Sequence, residues 1–170
     1  MIQKSHNSPD GTKSTARFSD CEKYRYTLTR IWDTSKGKIV FIGLNPSTAD
    51  EIKNDPTVTR MINFAKAWGY GSITVCNLFS FRATFPEDFK RTPDPIGVET
   101  DFWIKHELST ADKIIAAWGN HGIFRSRSQE VLKLLPKNKT YVFGTTKLNE
   151  PKHVLYLSSN STLKPFDNNF

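Results

Sequence analysis

The sequence has few cysteines, no long hydrophobic run and no glycine-rich phosphate loop. Cys21 and Cys76 are the only cysteines among 170 residues, too few for a disulfide scaffold or for the four ligands of an iron–sulfur cluster. The longest apolar run, residues 39–44, is far shorter than the ~18 residues that span a bilayer. Neither G-x-x-x-x-G-K-[ST] nor G-x-G-x-x-G occurs, which disfavours P-loop enzymes and Rossmann dehydrogenases. No secretory signal is visible, so we expect a cytoplasmic protein with no metal, cofactor or membrane partner.

Basic residues are concentrated towards both ends of the chain. The formal net charge is +7, with eight basic and four acidic side chains in residues 1–40 and seven against two in residues 121–153. A basic surface favours a polyanionic partner, because neutralising phosphates releases their counterions. The same charge could also form an ordinary solvated surface. DNA or a nucleotide is therefore a candidate partner, and protein partners stay unknown.

Short apolar segments alternate with helical patterns along the chain. The apolar segments predict strands over residues 38–44, 72–79, 113–119 and 140–144. Asp55 followed by Pro56 is typical of a helix start, and Gly69 is typical of its end. Further helices are expected over residues 102–108 and 123–135. The alternation of strand and helix predicts an α/β fold.

The length of the chain fits one domain. We predict a single three-layer α/β/α domain over residues 17–158, built on a four-stranded, mainly parallel sheet. Residues 1–16 are predicted to be a flexible tail, and residues 159–170 a C-terminal tail, because both segments are polar and lack periodicity.

Polar segments follow each of the predicted strands, at residues 45–48, 77–82, 119–122 and 145–157. In a parallel sheet, ligands bind beyond the carboxyl ends of the strands. These segments carry asparagine, arginine, histidine and aromatic side chains, but no Ser-His-Asp set and no carboxylate cluster of the metal-binding kind. A functional site is therefore expected at this edge of the sheet.

Several short motifs occur in order between about residues 20 and 160: Tyr24-Arg25-Tyr26 with Arg30 and Trp32, Leu44-Asn45-Pro46-Ser47-Thr48-Ala49-Asp50, Asp55-Pro56-Thr57, Asn77-Leu78-Phe79, Arg82-Ala83-Thr84, Ala117-Trp118-Gly119 and Leu155-Tyr156-Leu157. Together they closely resemble the bacterial and phage family called domain of unknown function 1643. The name of that family assigns no activity.

A more distant resemblance is to the uracil-DNA glycosylase superfamily, especially its mismatch-specific branch. Gly43-Leu44-Asn45-Pro46 is similar to its water-positioning motif, and residues 77–82 resemble the segment that reads the base edge. Trp118-Gly119 is similar to the pair that ends a third strand. The loop at His153 resembles the one that begins His-Pro and carries an apolar wedge, although Val154 replaces the proline. This resemblance implies a uracil-DNA glycosylase-like fold.

The same resemblance implies a glycosylase-like hydrolase that cleaves an N-glycosidic bond of a base in DNA or a nucleotide. Asn45 would orient water, and His153 would donate to the base oxygen where negative charge develops. Asp50 is taken as a catalytic carboxylate, and Asp55 is an alternative that already has a role as a helix cap. His121 competes with His153 for the histidine role, and Asn45 could instead cap an Asx-turn.

Base binding is assigned to four residues near the first two motifs. The amide of Asn77 has the donors and acceptor to read a pyrimidine edge. Phe79 could stack on a base, although packing in the core is the commoner role of a phenylalanine. Pro46 and Ser47 are expected beside them.

Contacts with nucleic acid or phosphate are expected from Arg82, Arg60, Thr57, Asn120, His121, Lys147, Lys152, Leu155 and Tyr156. Thr57 and Arg60 lie in the first helical turn, where backbone N–H groups favour anions. Leu155 or Tyr156 could act as a wedge that extrudes a nucleotide. Because no clear base accompanies Asn45, a non-catalytic base- or nucleic-acid-binding module is the alternative function. A structural protein that retains only the fold is the third reading.

Overall fold

Four strands of largely apolar and β-branched residues form the parallel centre of the sheet. They are β4 (Lys38–Gly43), β5 (Ser72–Asn77), β6 (Lys113–Ala116) and β7 (Thr140–Val142). β4 pairs in parallel with β5 on one side and with β6 on the other, and β6 pairs in parallel with β7. After Lys38 every residue of β4 is buried, because both faces of the sheet are covered.

Antiparallel strands extend this centre on both sides. The computed structural model describes residues 1–166, and in it β1 (Ile2–Asn7), β2 (Lys13–Phe18) and β3 (Arg25–Ile31) form an antiparallel meander. β3 pairs antiparallel with β5, and β8 (Lys164–Pro165) pairs antiparallel with β7. The strand order is β1-β2-β3-β5-β4-β6-β7-β8.

The predicted four-stranded, mainly parallel sheet is therefore wrong. Over residues 1–166 the sheet is mixed and has eight strands, with four antiparallel pairings against three parallel ones. Residues 1–16 were expected to be a flexible tail, but they contribute β1 and most of β2. The sequence did not reveal these strands because their polar residues resemble those of a loop. Every second residue of the edge strand β1, namely Gln3, Ser5 and Asn7, is polar and exposed to solvent. β8 lies inside the predicted C-terminal tail 159–170, of which residues 167–170 are outside the described residues.

In the described part of the chain, four α-helices cover the sheet: α1 (Pro56–Ala67), α2 (Pro86–Arg91), α3 (Thr100–Ser109) and α4 (Arg127–Leu132). α1 begins where the sequence predicts, because Asp55 caps it and Pro56 occupies its first position. The helix expected over residues 123–135 is shorter, since Arg125 and Ser126 have positive φ and separate α4 from a preceding 3₁₀ turn.

The two faces of the sheet bury separate hydrophobic cores. On one face, Val58, Met61 and Phe64 of α1 pack in the core that contains Ile39 and Phe41. On the other face, α3 and α4 contribute Ile104, Leu108 and Val131 to the core that contains Val40 and Ile42. Within residues 1–166, no helix combines the length and apolar character needed to cross a bilayer.

The buried position of Ala16 distinguishes a packed hairpin from a loose tail. Ala16 is fully buried in the α1-side core, so Ala16→Leu should overpack it and lower the free energy of unfolding by about 1–3 kcal/mol. Chemical denaturation of both proteins measures the change. Gln3→Leu, at an exposed position of β1, is the control and should stay within about 0.5 kcal/mol of wild type. An equally neutral Ala16→Leu would contradict the packed hairpin.

Candidate functional site

A cleft of about 890 Å³ opens at the carboxyl ends of the parallel strands. Its floor comes from the residues that follow the two middle strands, Leu44 and Asn45 after β4 and Trp118 and Gly119 after β6. The chain after β5 and the chain after β7 contribute the lining from either side, and the start of α1 adds residues 55–57. The volume lies in the range of small-molecule sites.

Asn45 uses its amide nitrogen to hold the first loop of the cleft. Its Nδ2 donates to the carbonyl oxygens of Pro46 at 2.9 Å and Ala83 at 2.8 Å. The remaining polar atom, Oδ1, has no hydrogen-bond partner among residues 1–166 and lies in a residue that lines the cleft. An amide oxygen accepts a hydrogen bond but does not take up a proton. Asn45 can therefore orient a water molecule, and it cannot serve as a general base.

His153 is held as a neutral imidazole whose proton is on Nε2. Its Nδ1 accepts a hydrogen bond from the backbone N–H of Leu155 at 3.1 Å, so in the neutral ring the proton must be on Nε2. Burial lowers the pKa of His153, and the carboxylate of Asp55 only partly opposes this effect. The Cβ of His153 lies close to Gly119, since an added Cβ on Gly119 would lie 3.4 Å from it. Nε2 is thus a neutral donor on a residue that lines the cleft.

The structure separates the two candidate carboxylates. Asp50 caps a turn, with Oδ1 accepting from the N–H groups of Ile52 at 2.9 Å and Lys53 at 2.8 Å. Burial raises the pKa of Asp50, but these two hydrogen bonds together with the charges of Lys53 and Arg82 outweigh it and leave the pKa lowered. Asp50 lines a neighbouring depression of about 470 Å³ and does not line the cleft. Asp55 does line the cleft, so the carboxylate chosen from the sequence is not the one at the site.

Asn77 lies beneath the cleft and is not part of its lining. Its side chain is 4% exposed, and its Nδ2 is buried without a hydrogen-bond partner. The amide lies directly against Gly43, because a Cβ at Gly43 would come within 2.7 Å of the Asn77 Oδ1. In this arrangement Asn77 does not reach a ligand in the cleft.

Of the other residues expected to bind a base, Phe79 and Pro46 are buried and Ser47 lines the cleft. Phe79 is fully buried, with its ring stacked 4.6 Å from that of Phe89 in the core. It therefore has no face available for a base. Pro46 is buried, and its carbonyl oxygen accepts from Asn45. Ser47 lines both the cleft and the neighbouring depression.

Two arginines expected to bind phosphate make contacts within the protein. Arg60 donates from Nε to the carbonyl oxygen of Val154 at 3.1 Å and from Nη2 to that of Leu157. It therefore anchors the last loop of the cleft. Arg82 donates to the carbonyl oxygen of Glu22 at 3.2 Å, stacks on Phe18 and lines the neighbouring depression. Neither arginine lines the cleft.

The remaining expected contacts mostly line the cleft, and they are Thr57, Asn120, His121, Lys152, Leu155 and Tyr156. Asn120 accepts from the hydroxyl of Thr146 at 2.6 Å. Burial, followed by the charge of Lys90, lowers the pKa of His121, whose Nδ1 lies 2.8 Å from the Lys90 Nζ. Tyr156 is 91% exposed at the rim. Lys147 is exposed and is not part of the lining.

A buried carboxylate ties the last loop to the end of β6. Glu150 accepts hydrogen bonds from the Trp118 indole at 2.6 Å and from the Ser128 hydroxyl at 3.0 Å. The Gly119 N–H also donates to the carbonyl oxygen of Pro151 at 2.8 Å. The sequence singles out the Trp118-Gly119 pair, but nothing local indicates a partner in a later loop.

Two arginines of β3, absent from the predicted site, hold the loop that leads to Asp55. Arg25 is buried and donates from Nη1 to the carbonyl oxygen of Ala49 at 2.8 Å. Arg30 donates to the Asn54 Oδ1 at 3.0 Å and to carbonyl oxygens of the same loop. Burial lowers the pKa of Arg25 to about 10, an effect that Asp55 opposes. In the sequence, the feature that could have indicated a role for Arg25 is its place in the motif Tyr24-Arg25-Tyr26.

The comparisons with known proteins identify the family. A family model described as "Protein of unknown function (DUF1643)" matches residues 25–155, and the chain belongs to this family. The match spans β3 to β7 and includes both Asn45 and His153. A search of curated proteins and a search of solved structures each found no match.

The buried histidine predicts a pH dependence of stability. Because the folded pKa of His153 is lowered from 6.5, the unfolded chain takes up this proton first as the pH falls. Stability should therefore be fully present above pH 6.5 and should fall as the pH drops below 6.5 towards the lowered pKa of the folded state. His153→Asn keeps an acceptor for the Leu155 N–H and cannot be protonated, so its loss over this interval should be smaller.

Chemical denaturation at several pH values measures this difference. His6→Asn, in strand β1 away from the cleft, is the control and should keep the wild-type pH dependence. Identical pH profiles for His153→Asn and wild type would contradict the buried, neutral imidazole.

Proposed function

We propose that this chain is a hydrolase that cleaves the N-glycosidic bond between a base and its sugar, in DNA or in a nucleotide. One observation carries the proposal: the same cleft is lined by Asn45, whose Oδ1 has no hydrogen-bond partner among residues 1–166, and by the neutral imidazole of His153, whose Nε2 has none among those residues either. The first group suits an attacking water molecule. The second suits an oxygen on which negative charge develops.

The chemistry follows from these two groups. The bond from the sugar carbon to the base nitrogen breaks, and its electron pair leaves with the base. The Nε2–H of His153 stabilises the negative charge that then develops on the base oxygen. Water held by Asn45 adds to the cationic sugar and loses a proton, while the base acquires one. Because Asn45 does not take a proton, bond breaking precedes the addition of water.

Further features support this function and refine it. The resemblance of four strand-end motifs to the uracil-DNA glycosylase superfamily points to the same chemistry. The net charge of +7 suits a phosphate-bearing substrate. Leu155 and the exposed Tyr156 stand on the rim, where an inserted side chain would offset the few kcal/mol needed to extrude a nucleotide. Since Asn77 and Phe79 lie below the cleft, base recognition falls to polar lining residues such as Ser47 and Asn120.

A non-catalytic base-binding module is the second candidate. One observation favours it, since Asp50 and Asp55 each use a carboxylate oxygen to cap backbone N–H groups. A cleft whose polar groups serve only to bind would sense a base without releasing it.

The activity test uses His153→Asn, which retains the loop-holding acceptor and removes the Nε2 donor. Base release should fall by about 10²–10³, the usual effect of removing one preorganised donor. Release is measured by chromatography on DNA containing uracil, mismatched or modified bases and on free nucleotides. His6→Asn is the control and should match wild type.

A second variant, Asn45→Ala, should also reduce base release, and its free energy of unfolding must be measured in parallel. The amide nitrogen of Asn45 holds two carbonyl oxygens, so part of any loss could come from the loop. Asn45→Asp is less informative, because a carboxylate has no N–H to donate and would be repelled by those same carbonyl oxygens. If wild type binds a base or nucleotide but releases none, the binding module replaces the enzyme.

A further inference from the structure

One acidic residue lines the cleft. Of the residues within 1–166 that line it, Asp55 is the only Asp or Glu. The residue is 8% exposed, so it lies in the wall and has little contact with bulk solvent. The lining also contains Asn45 and His153, the two groups on which the proposed chemistry depends.

The carboxylate of Asp55 is fixed in orientation and keeps one oxygen free. Oδ1 accepts from the Val58 N–H at 2.8 Å as the N-cap of α1. Oδ2 has no hydrogen-bond partner among the described residues. An N-cap needs a single acceptor, which Asn or Ser supplies as well as Asp does. Capping therefore does not account for the second oxygen or for the negative charge in the cleft wall.

The segment before Asp55 is held by side chains of the neighbouring strand. Arg25 binds the carbonyl oxygen of Ala49, and Arg30 binds three acceptors in residues 50–54. Both arginines are buried, so the loop that ends at Asp55 is anchored from inside the protein. The carboxylate thus stands on a rigid support, as a group that stabilises a transition state by electrostatics must.

We propose that Asp55 is a catalytic residue whose free carboxylate oxygen stabilises the positive charge that develops on the sugar as the glycosidic bond breaks. This inference rests on the proposed N-glycosyl hydrolysis. As the bond breaks, the electron pair leaves with the base beside His153, and the sugar carbon becomes cationic beside Asp55. Water then adds to that carbon, its proton passes to the Asp55 carboxylate or to solvent, and the base takes up a proton from solvent. Arg25 and Arg30 are positioning residues.

The decisive variant is Asp55→Asn, which keeps the N-cap acceptor and removes the charge. We expect kcat for base release to fall by at least about 10²-fold with KM changed only a few-fold. Asp33→Asn is the matched control. Asp33 also uses Oδ1 to accept a backbone N–H, that of Ser35 at 3.0 Å, but it lies beyond the other end of the sheet in the β3–β4 loop. Asp33→Asn should have wild-type kcat.

Rescue by a small anion separates a catalytic role from a structural one. Asp55→Ser retains a favoured N-cap residue and leaves space where the carboxylate stood. Added formate should restore base release by Asp55→Ser at least tenfold over chloride at equal ionic strength, an effect on the scale of one charge interaction. Formate should leave Asp33→Asn unchanged.

A titration of the His153 ring by NMR gives a readout that does not depend on activity. Since the Asp55 carboxylate raises the pKa of His153 against the effect of burial, Asp55→Asn should lower that pKa further. A normal kcat in Asp55→Asn, while wild type is active, overturns the role of Asp55 and leaves the hydrolase intact. Wild type that releases no base from any substrate overturns both. A His153 pKa unmoved by Asp55→Asn overturns the shared geometry of carboxylate and histidine.

Discussion

The parallel pairing of β4 with both of its neighbours is the constraint on which the cleft depends. Because β4, β5, β6 and β7 run in one direction, the chain segments that follow them leave the sheet at a single edge. Hydrogen bonds from Leu78 to Gly43 and from Phe79 to Leu44 continue the pairing beyond the strands themselves. A shift of one residue in this register would turn the side chains of a strand to the opposite face. The positions of Asn45, Asp55 and His153 follow from this pairing.

Backbone groups decide which atoms of the site stay free. In Asn45, two carbonyl oxygens occupy the amide nitrogen and leave the oxygen. In His153, one N–H occupies Nδ1 and leaves Nε2. In Asp55, one N–H occupies Oδ1 and leaves Oδ2. In each side chain, one polar atom is bonded to the backbone and the other remains able to bind a ligand. The loops that position these side chains therefore also determine whether each one can donate or accept a further hydrogen bond.

Much of the sheet centre could be predicted from the sequence, since buried strands are apolar runs and α1 carries its own start signal at Asp55-Pro56. The N-terminal hairpin could not, because strands with a solvated face use polar residues that resemble a loop. The fates of Asn77 and Phe79 were also beyond local reasoning. In a strand, consecutive side chains point to opposite faces of the sheet. Leu78 and Phe79 are consecutive but pack in the same core, so this rule no longer applies after the end of β5. It therefore cannot predict which of the following side chains reach the cleft.

The sequence indicated the edge of the sheet at which the cleft lies better than it indicated the individual residues that line the cleft. The strand-end rule indicates Asn45, Asn120 and His153, and all three residues line the cleft. The choice between Asp50 and Asp55 depends on how the 49–54 loop folds, and that loop is held by arginines of β3, distant in sequence. Arg60 and Arg82 show the same limit, because their partners are backbone carbonyl groups that no sequence pattern reveals.

The N-terminal hairpin has a consequence for how copies of this protein meet one another. The part of the chain that matches the family begins at Arg25, in β3. Without β1 and β2, β3 would present an open row of peptide groups, the kind of border along which sheets of separate molecules fuse. In the structure β2 pairs with β3, so β1 is the edge strand of the sheet. On β1, exposed polar side chains alternate and Lys4 pairs with Glu22. Pairing with β2 thus satisfies the edge of β3 within one molecule, which is one of the ways in which proteins limit edge-to-edge association.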